Sequence, residues 1–334
     1  MAKRQQRVTL EDVAREAGVS PMTISRVINN KGRFSEATRR HVLEVAERLG
    51  YRPNRAARTL VTNKTMMVGF VVPDITNPYF AEIFQGIEDV FWESGYNVLV
   101  ANTNESTTRE RTILAQLDDG TVDGIIACAS RLPDEHLLPL LEKFPAVVTI
   151  TRPVPTHLAS AVVSHYTIGE RMLMGAKYLS DTGRRNIGCV RLSHSSIYLS
   201  DDEFMNEMAA QGTPIPTEWS VSCPPTWKAG YNLGRQLLQT YPELDGIAGG
   251  NDLVTLGVMR AALELGRRVP NDLGLIGADD ILLASQVTPP LTTFRIDKYE
   301  IGSMAARLLL LRMEGDLTYR EHLYQTELIV RGST

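Results

Sequence analysis

Short apolar runs alternate with amphipathic stretches along most of this sequence, and this alternation most constrains the fold. Apolar runs occupy 66–73, 96–102, 122–129 and 146–151, and stretches with helical periodicity follow the first three. Parallel strands that are buried on both faces have this near-continuous apolar character, and helices cover both faces of their sheet. This part of the chain is therefore predicted to form a doubly wound parallel sheet.

The same alternation resumes in the second half of the chain. Helical periodicity in "ERMLMGAKYLSDTG", "NLGRQLLQTYP" and "TLGVMRAALELG" precedes the apolar runs "NIGCVRL", "DGIAGG" and "LGLIGADD". These strands, added to those of the first half, are too many for one domain. The sequence therefore predicts an α/β body of two similar lobes, near 63–162 and 163–292.

Composition narrows the class of protein. A length of 334 residues favours more than one domain, and 43% hydrophobic with 22% charged residues is typical of a soluble globular protein. No run of about 18 apolar residues occurs, and the basic N-terminus leads into a polar amphipathic stretch instead of an apolar signal core, so a cytoplasmic protein is expected. The three cysteines, Cys128, Cys189 and Cys223, lack metal-ligand spacing and are expected to be buried reduced thiols.

The net charge of −4 conceals a strong asymmetry. Residues 1–60 hold 13 Lys/Arg and 6 Asp/Glu, a net of +7, whereas residues 61–334 hold 22 and 33, a net of −11. A basic head on an acidic body indicates that the head meets a polyanion, although a solvated basic surface would have the same composition.

Three helices are predicted in the head. Thr9 caps a first helix, "LEDVAREAG", which Gly18 ends in a left-handed conformation. Ser20 caps a second, with Pro21 at its first position, and Ser35 begins a third. Two helices joined by a tight glycine turn and braced by a third form a helix-turn-helix.

The second helix has an outward face that suits the major groove of DNA. Ile24, Val27 and Ile28 form its inner stripe. Outside, Met22 offers an apolar contact to a thymine methyl, and Arg26 matches the O6/N7 pair of guanine. An ordinary three-helix bundle with a polar face is the alternative. The predicted DNA-contact residues of the head are Thr9, Ser20, Pro21, Met22, Thr23, Ser25, Arg26 and Asn29.

A short segment, 53–62, separates the head from the body. It begins with Pro53 and is too short for a stable isolated helix, so it is predicted to fold on DNA beside its copy from a second subunit. Leu60 is then positioned to wedge between base steps in the minor groove. A plain linker is the alternative. The predicted DNA contacts here are Asn54, Arg55, Ala57 and Leu60.

The motifs "TLEDVAREAGVSPMTISRVINN", "GYRPNRAARTL", "VGFVVPDITNPYFAEIFQGIED", "GND" and "IGADD" resemble the lactose/galactose-repressor (LacI/GalR) family of bacterial regulators. The resemblance is collinear over nearly the whole chain, and "PMTISR" with "NPYFAEIFQGIE" resembles the gluconate and idonate repressors within that family. It implies a helix-turn-helix domain at 1–52, a hinge helix at 53–62, and two lobes like those of periplasmic binding proteins. The first lobe is then 63–162 with 293–320, and the second is 163–292 with 321–334.

Ligands of such sheets bind at the carboxyl ends of the strands, here the cleft between the lobes. Aromatic side chains, amides and carboxylates that follow strand ends suit a polyhydroxylated ligand. The resemblance places Asn77, Tyr79 and Phe80 on the first-lobe wall and Asn251 and Asp279 on the second, although the two aromatics also suit the core. Asp252 is expected to cap the following helix. The predicted effector-binding residues are Asn77, Tyr79, Phe80, Thr103, Arg131, Arg152, His165, Trp227, Asn251 and Asp279.

Two positions depart from the family pattern. The family often has Asp-Asn where this chain has Ser164-His165, and it often has a sugar-anchoring arginine where this chain has Ser200. An anionic ligand such as a sugar acid is the alternative to a neutral sugar, held by Arg131, Arg152, His165 or Lys228. The nearby acidic pair at 201–202 argues against that alternative.

The predicted function is a ligand-responsive regulator, a probable repressor, that binds a pseudo-palindromic double-stranded operator as a homodimer without a membrane partner. A solute-binding receptor of the transport type shares the two-lobe body, but the DNA-binding head and the lack of a signal peptide argue against it. An enzyme is not predicted, because the sequence contains no phosphate loop, no G-x-S-x-G, no metal cluster and no nucleophile paired with histidine. No catalytic residue, cofactor or metal is expected.

Overall fold

The computed structural model describes residues 8–28, 32–51, 64–164, 167–193, 206–207, 209–210, 212 and 214–334. The chain divides into two compact units, a head of residues 1–65 and a body of residues 66–334, and each is described by itself. The α/β fold with a helix-turn-helix head and two parallel-sheet lobes confirms the predicted fold class. The predicted hinge at 53–62 lies outside the described residues.

The head contains three helices whose ends follow the sequence signals. Thr9 and Asp12 form a reciprocal capping box, Gly18 ends the first helix at a φ of 65°, and Pro21 opens the second. Ser35 caps the third by accepting from the amide of Thr38. The helices are α1 Leu10–Ala17, α2 Pro21–Ile28 and α3 Glu36–Arg48. Their shared core contains Val13, Ala14, Ala17, Ile24, Val27, Val42, Val45 and Ala46.

The first lobe is built on a six-stranded sheet in the order β11-β5-β4-β3-β1-β2, with every neighbouring pair parallel. Its central strands are almost entirely buried, because helices cover both faces. The elements are β1 Met67–Val72, α4 Pro78–Glu93, β2 Asn97–Asn102, α5 Thr107–Leu117, β3 Ile125–Cys128, α6 Asp134–Leu141, β4 Val147–Ile150, β5 Ser160–Ser164, α11 Lys298–Met313 and β11 Glu321–Tyr324.

The second lobe has a four-stranded parallel sheet in the order β7-β6-β8-β9 and an antiparallel pair, β10 with β12. Bridges from 276 to 292 and from 279 to 295 join that pair to the end of β9. The elements are α7 Ile168–Asp181, β6 Ile187–Leu192, a 3₁₀ turn Thr217–Trp219, β7 Ser220–Cys223, α8 Trp227–Thr240, β8 Gly246–Gly249, α9 Asp252–Glu264, β9 Gly274–Ile276, α10 Leu282–Gln286, β10 Thr293–Arg295 and β12 Glu327–Ile329.

The C-terminal part of the chain corrects two predicted lobe boundaries. Strand β10 (293–295) joins the second lobe, so the return to the first lobe begins with α11 and not at residue 293. Strand β11 pairs with β5 in the first lobe's sheet, whereas the prediction assigned 321 onward to the second lobe. Only 327–334 return there, where Ser333 bonds to Leu275 and Thr292.

Helices α4 and α11 cross at two glycines, because a side chain at either would collide with backbone. A Cβ on Gly302 would lie 2.0 Å from the carbonyl oxygen of Ile83, and one on Gly86 would lie 2.0 Å from that of Tyr299. The close approach buries Ile83 and Ile301 against each other's helix. The crossing therefore depends on the absence of a methyl group at both positions.

Gly302→Ala is expected to lower the free energy of unfolding by about 1–3 kcal/mol, since the new methyl group forces the helices apart. Urea unfolding followed by circular dichroism measures the loss. Arg307→Ala on the exposed side of α11 is the control, and it should stay within about 0.5 kcal/mol of the parent. Equal stability of parent and Gly302→Ala would contradict this account of the crossing.

The remaining global features concern the membrane and the thiols. Within the described residues, none of the helices combines the length and the apolarity that crossing a bilayer requires. Cys128, Cys189 and Cys223 are all buried and free, as predicted. Burial raises the pKa of all three thiols, that of Cys189 to about 12, so they are unreactive at neutral pH.

Candidate functional site

A cavity of about 250 Å³ lies between the two lobes, where strands of both sheets end. The carboxyl edges of parallel strands leave a crevice in which side chains from several loops converge. Both lobes contribute walls of mixed character, with aromatic and aliphatic surfaces beside amides and charged groups. The cavity is lined by Asn77, Tyr79, Phe80, Glu105, Ala129, Arg131, Thr151, Pro153, Val163, Thr167, Ile168, Arg171, Leu192, Pro225, Asn251, Asp279 and Glu321.

The start of α4 forms the aromatic part of the first-lobe wall. Asn77 caps this helix, its Oδ1 accepting from the amide of Tyr79 at 3.0 Å. The rings of Tyr79 and Phe80 meet edge to face with centroids 5.1 Å apart. Both side chains are over nine-tenths buried and still line the cavity. The two readings of these aromatics, core and wall, are therefore both correct.

The loop after β3 supplies a charged pair to the same wall. Arg131 donates from Nε and Nη2 to the two carboxylate oxygens of Glu105, at 2.7 and 3.0 Å. Its own amide donates to Glu110 at 2.9 Å, and burial raises the pKa of that carboxyl. Because a bidentate pair holds both groups in one geometry, Arg131 presents an already neutralised cation to the cavity.

On the second-lobe wall, Asn251 and Asp279 follow the ends of β8 and β9. Asn251 caps α9 through Oδ1, which accepts from the amide of Val254 at 2.8 Å. Asp279 is buried, and its pKa is raised well above the usual value, first by burial and then by the charge of Asp252. Positive charge on Arg171 and Lys298 opposes the shift. A carboxyl that keeps its proton is both a donor and an acceptor.

Asp252 does not cap α9 as predicted, because Asn251 occupies that position. The Asp252 carboxylate instead accepts from the amide of Ile281 at 2.9 Å and from Thr293 Oγ1 at 2.6 Å. It is completely buried, and burial raises its pKa to about 6. Asp252 thus ties α9 to the loop that carries Asp279.

Backbone conformation marks the same region. The described residues contain seven non-glycine residues with positive φ, and six of them follow strand ends: Asn104, Glu105, Ala129, Thr151, Asp279 and Asp280. Four of these six line the cavity. Non-glycine residues in this region of φ cost about 1–3 kcal/mol each and cluster at functional sites. The backbone therefore supports the cavity as the functional site.

Three predicted effector residues lie elsewhere, and we correct them here. Thr103 is buried under the end of β2 and bonds through its amide to Val72. Arg152 donates to the carbonyls of Ser130 and Leu132 and to the carboxylate of Asp134, so its positive charge is already paired within the protein. Trp227 is 43% exposed and stacks on Tyr231 along α8, with centroids 5.5 Å apart.

The other residues that were predicted to bind an anionic ligand lie away from the cavity or outside the described residues. Lys228 is exposed and does not line the cavity. His165 and residues 200–202 lie outside the described residues. The sequence reasoning missed Arg171, which is 4% exposed and lines the cavity from α7. It also missed other lining residues, namely Glu105, Ala129, Thr151, Pro153, Val163, Thr167, Ile168, Leu192, Pro225 and Glu321.

The candidate DNA face of the head is an exposed ridge on α2. Pro21, Met22 and Arg26 are exposed, Met22 to 63%, whereas Ser25 and Thr23 are half-buried. Thr9 and Ser20 are exposed at the starts of α1 and α2, and Ser20 Oγ accepts from the amide of Thr23 at 3.1 Å. The other predicted contacts, Asn29, Asn54, Arg55, Ala57 and Leu60, lie outside the described residues.

Two sequence families match separate parts of the chain. Residues 9–54 match bacterial regulatory proteins of the lacI family, and residues 176–334 match a periplasmic binding protein-like domain. Catabolite control protein A of Priestia megaterium is 34% identical over 315 residues, which are 90% of this chain and 91% of that protein. The ribose operon repressor of Halalkalibacterium halodurans is 33% identical over 333 residues, 98% and 97% of the two chains.

Solved structures of transcriptional regulators are similar to this chain over nearly its full length. The complex of the transcriptional regulator CelR with cellobiose has a TM-score of 0.71 and 29% identity, covering 98% of this chain and 100% of that one. The lac repressor dimer bound to operator and the anti-inducer ONPF has a TM-score of 0.83 and 24% identity, covering 98% and 99%. The similarity thus extends over the head and the two-lobe body.

Proposed function

This chain belongs to the lacI family of bacterial regulatory proteins, and from that premise we propose how it reads DNA and what its effector is. It is a ligand-responsive, DNA-binding transcriptional repressor. Relatives named as repressors support a binding protein over an enzyme. The observation that carries our proposal is the cavity at the strand ends of the body, in a chain whose head is a helix-turn-helix.

The effector we propose is a single sugar or sugar acid. A volume of about 250 Å³ is just below the roughly 300–1,000 Å³ of typical small-molecule pockets, so one ring suits it better than two. The rings of Tyr79 and Phe80 offer apolar surface, and Asn251 and Asp279 offer hydrogen bonds on the opposite wall. CelR with its cellobiose supports the sugar class. The resemblance to gluconate and idonate repressors favours an acid.

DNA recognition we assign to the exposed ridge of α2. Arg26 would read a guanine with its two-pronged guanidinium, and Met22 would contact a thymine methyl. Thr9 and Ser20, at exposed helix starts, would position the head on phosphates. The segment 53–62 with Leu60 would add minor-groove contacts. Action on chromosomal DNA supports a cytoplasmic location for such a repressor.

A homodimer on a pseudo-palindromic operator follows from the same premise. Two heads related by two-fold symmetry read two half-sites of the same sequence. The operator-bound lac repressor is a dimer, which supports this state. Ligand would close the two lobes and so change the operator affinity of the dimer, typically by 1–3 kcal/mol.

Arg26→Ala is expected to cost about 1–3 kcal/mol of operator binding and to relax the base preference at one position of each half-site. Competition binding against a randomised duplex pool measures both quantities. Arg26→Lys is the matched control, because it keeps the charge and loses the planar fork. Loss of affinity that is equal on operator and random DNA would reduce Arg26 to a phosphate contact.

The proposed function is tested by selecting duplexes with the purified full chain and then adding candidate effectors. We expect a pseudo-palindromic consensus sequence. We also expect a protein–DNA complex, detected by gel retardation, that at least one sugar or sugar acid either dissociates or stabilises. A transport-type receptor would select no sequence at moderate salt. If the protein selects a palindromic sequence but its complex responds to no sugar or sugar acid, the DNA-binding function stands and the proposed effector class is wrong.

A further inference from the structure

Arg171 is an unpaired cation in the cavity wall. It lies in the first turn and a half of α7, is 4% exposed, and lines the cavity. Its Nε and Nη1 atoms are buried, and no described residue forms a hydrogen bond with either atom. A guanidinium cannot escape this cost by losing its proton, and burying a charge without a partner costs several kcal/mol. The fold therefore holds a strong donor for which the described residues supply no acceptor.

The other three buried arginines of the described residues each donate to at least one acceptor of the protein, although the Nε of Arg312 has no partner. Arg131 is paired with Glu105, Arg152 donates to two carbonyls and a carboxylate, and Arg312 donates to the carbonyl of Leu158 at 2.9 Å. Arg171 alone among these four lines the cavity without an oxygen bonded to it. The contrast indicates that its partner is the cavity's occupant.

The charges around Arg171 do not neutralise it. Arg131 and Glu105 compensate each other on the opposite wall. Asp279 lies within electrostatic reach but forms no ion pair with Arg171, and burial favours its protonated form. Glu321 is exposed at the edge of the cavity. Arg171 thus places a positive charge in the cavity wall for which the described residues form no ion pair.

We propose that Arg171 binds a carboxylate of the effector, so that the cavity selects a monosaccharide acid over the corresponding neutral sugar. This inference rests on the proposed function, since it specifies the ligand of the same cavity. A carboxylate carries a single negative charge and matches the planar guanidinium. A phosphate carries about −1.5 to −2, which is more than the single charge of Arg171 balances.

Matched ligand pairs test the selectivity. Glucose is compared with gluconate and glucuronate, galactose with galacturonate, and ribose with ribonate, and glucose 6-phosphate is the phosphate arm. Calorimetry on the full chain should give at least one acid with an affinity about tenfold or more above its neutral partner, since a hydrogen bond to a charged group contributes about that factor. Tighter binding of the phosphate than of every acid would overturn the carboxylate assignment.

Arg171→Gln should weaken the acid by about tenfold or more and leave neutral sugars unchanged. Arg171→Met should also raise the Tm of the free protein by at least about 2 °C, because it removes an unpaired buried charge. A merely structural arginine would instead lower that Tm when replaced. Arg185→Gln, on the exposed surface beyond α7, is the control and should match the parent in every assay.

The outcomes separate this inference from the function beneath it. Neutral sugars that bind as tightly as acids, with Arg171→Gln unchanged, would overturn the role of Arg171 and leave a sugar-responsive repressor. An absence of binding by every sugar and acid, in a preparation that still binds its selected operator, would overturn the effector class together with the inference.

Discussion

Replacing Asp279 with alanine is expected to abolish the effector response while operator binding survives. Asp279 is buried on the second-lobe wall, at a φ of 130°, and its raised pKa favours a carboxyl that both donates and accepts. Its removal leaves two ligand hydroxyls without partners in an enclosed cavity. Each such bond is worth about 1–3 kcal/mol, so the Kd of the effector should rise roughly 30-fold or more.

Asp279→Asn is the matched control. The amide keeps the shape of the carboxyl and, like its protonated form, offers one acceptor together with donors. We therefore expect a weakened but measurable response by calorimetry and gel retardation. If Asp279→Ala binds effector and responds like the parent, Asp279 is not a ligand residue and the effector lies elsewhere.

Asp252→Ala is expected to destabilise the protein by about 2–5 kcal/mol. Its carboxylate accepts from the amide of Ile281 and the hydroxyl of Thr293, and the substitution strands both donors in the core. Each unsatisfied buried donor costs about 1–3 kcal/mol. Urea unfolding at pH 5, below the raised pKa of Asp252, measures the loss, and Asp272→Ala is the comparison for loss of a half-buried aspartate whose side chain pairs only with Arg268.

The same residue should make stability depend on pH. Burial raises the pKa of Asp252 from 3.8 to about 6, so the folded state holds this proton more tightly than the unfolded state. The contribution to stability is complete below about pH 4 and is lost as pH rises through about 6. Asp252→Asn should flatten this part of the pH profile. An identical profile in parent and variant would contradict the assignment.

Much of the fold could be predicted because its signals are local. Apolar runs that alternate with helical periodicity marked seven of the strands, and Thr9, Gly18 and Ser35 marked helix ends. Strands β5 and β7 escaped notice, since "SAVVS" and "SVSC" are short and contain two serines each. These segments become strands because β5 pairs with β4 and β11, and β7 pairs with β6. The division of 321–329 between two lobes is likewise a long-range outcome.

The site was only partly predictable, for a related reason. Residues that follow strand ends, such as Asn77, Asn251 and Asp279, converge because parallel strands share one edge. Arg171 sits inside a helical stretch, and its orientation toward the cavity depends on the other lobe. Trp227 follows a strand as the pattern required, but it begins α8 and stacks on Tyr231 one turn later. Periodicity alone does not distinguish these cases.

The central claim is that one ligand in the interlobe cavity and one operator on the head influence each other. The most direct measurement is calorimetric titration of the full chain with its best sugar or sugar acid, with and without the selected operator, followed by titration of operator with and without that ligand. Thermodynamic linkage requires the two affinity ratios to be equal, and we expect a ratio of roughly 5–150. A ratio of one, with both ligands bound, would contradict the account.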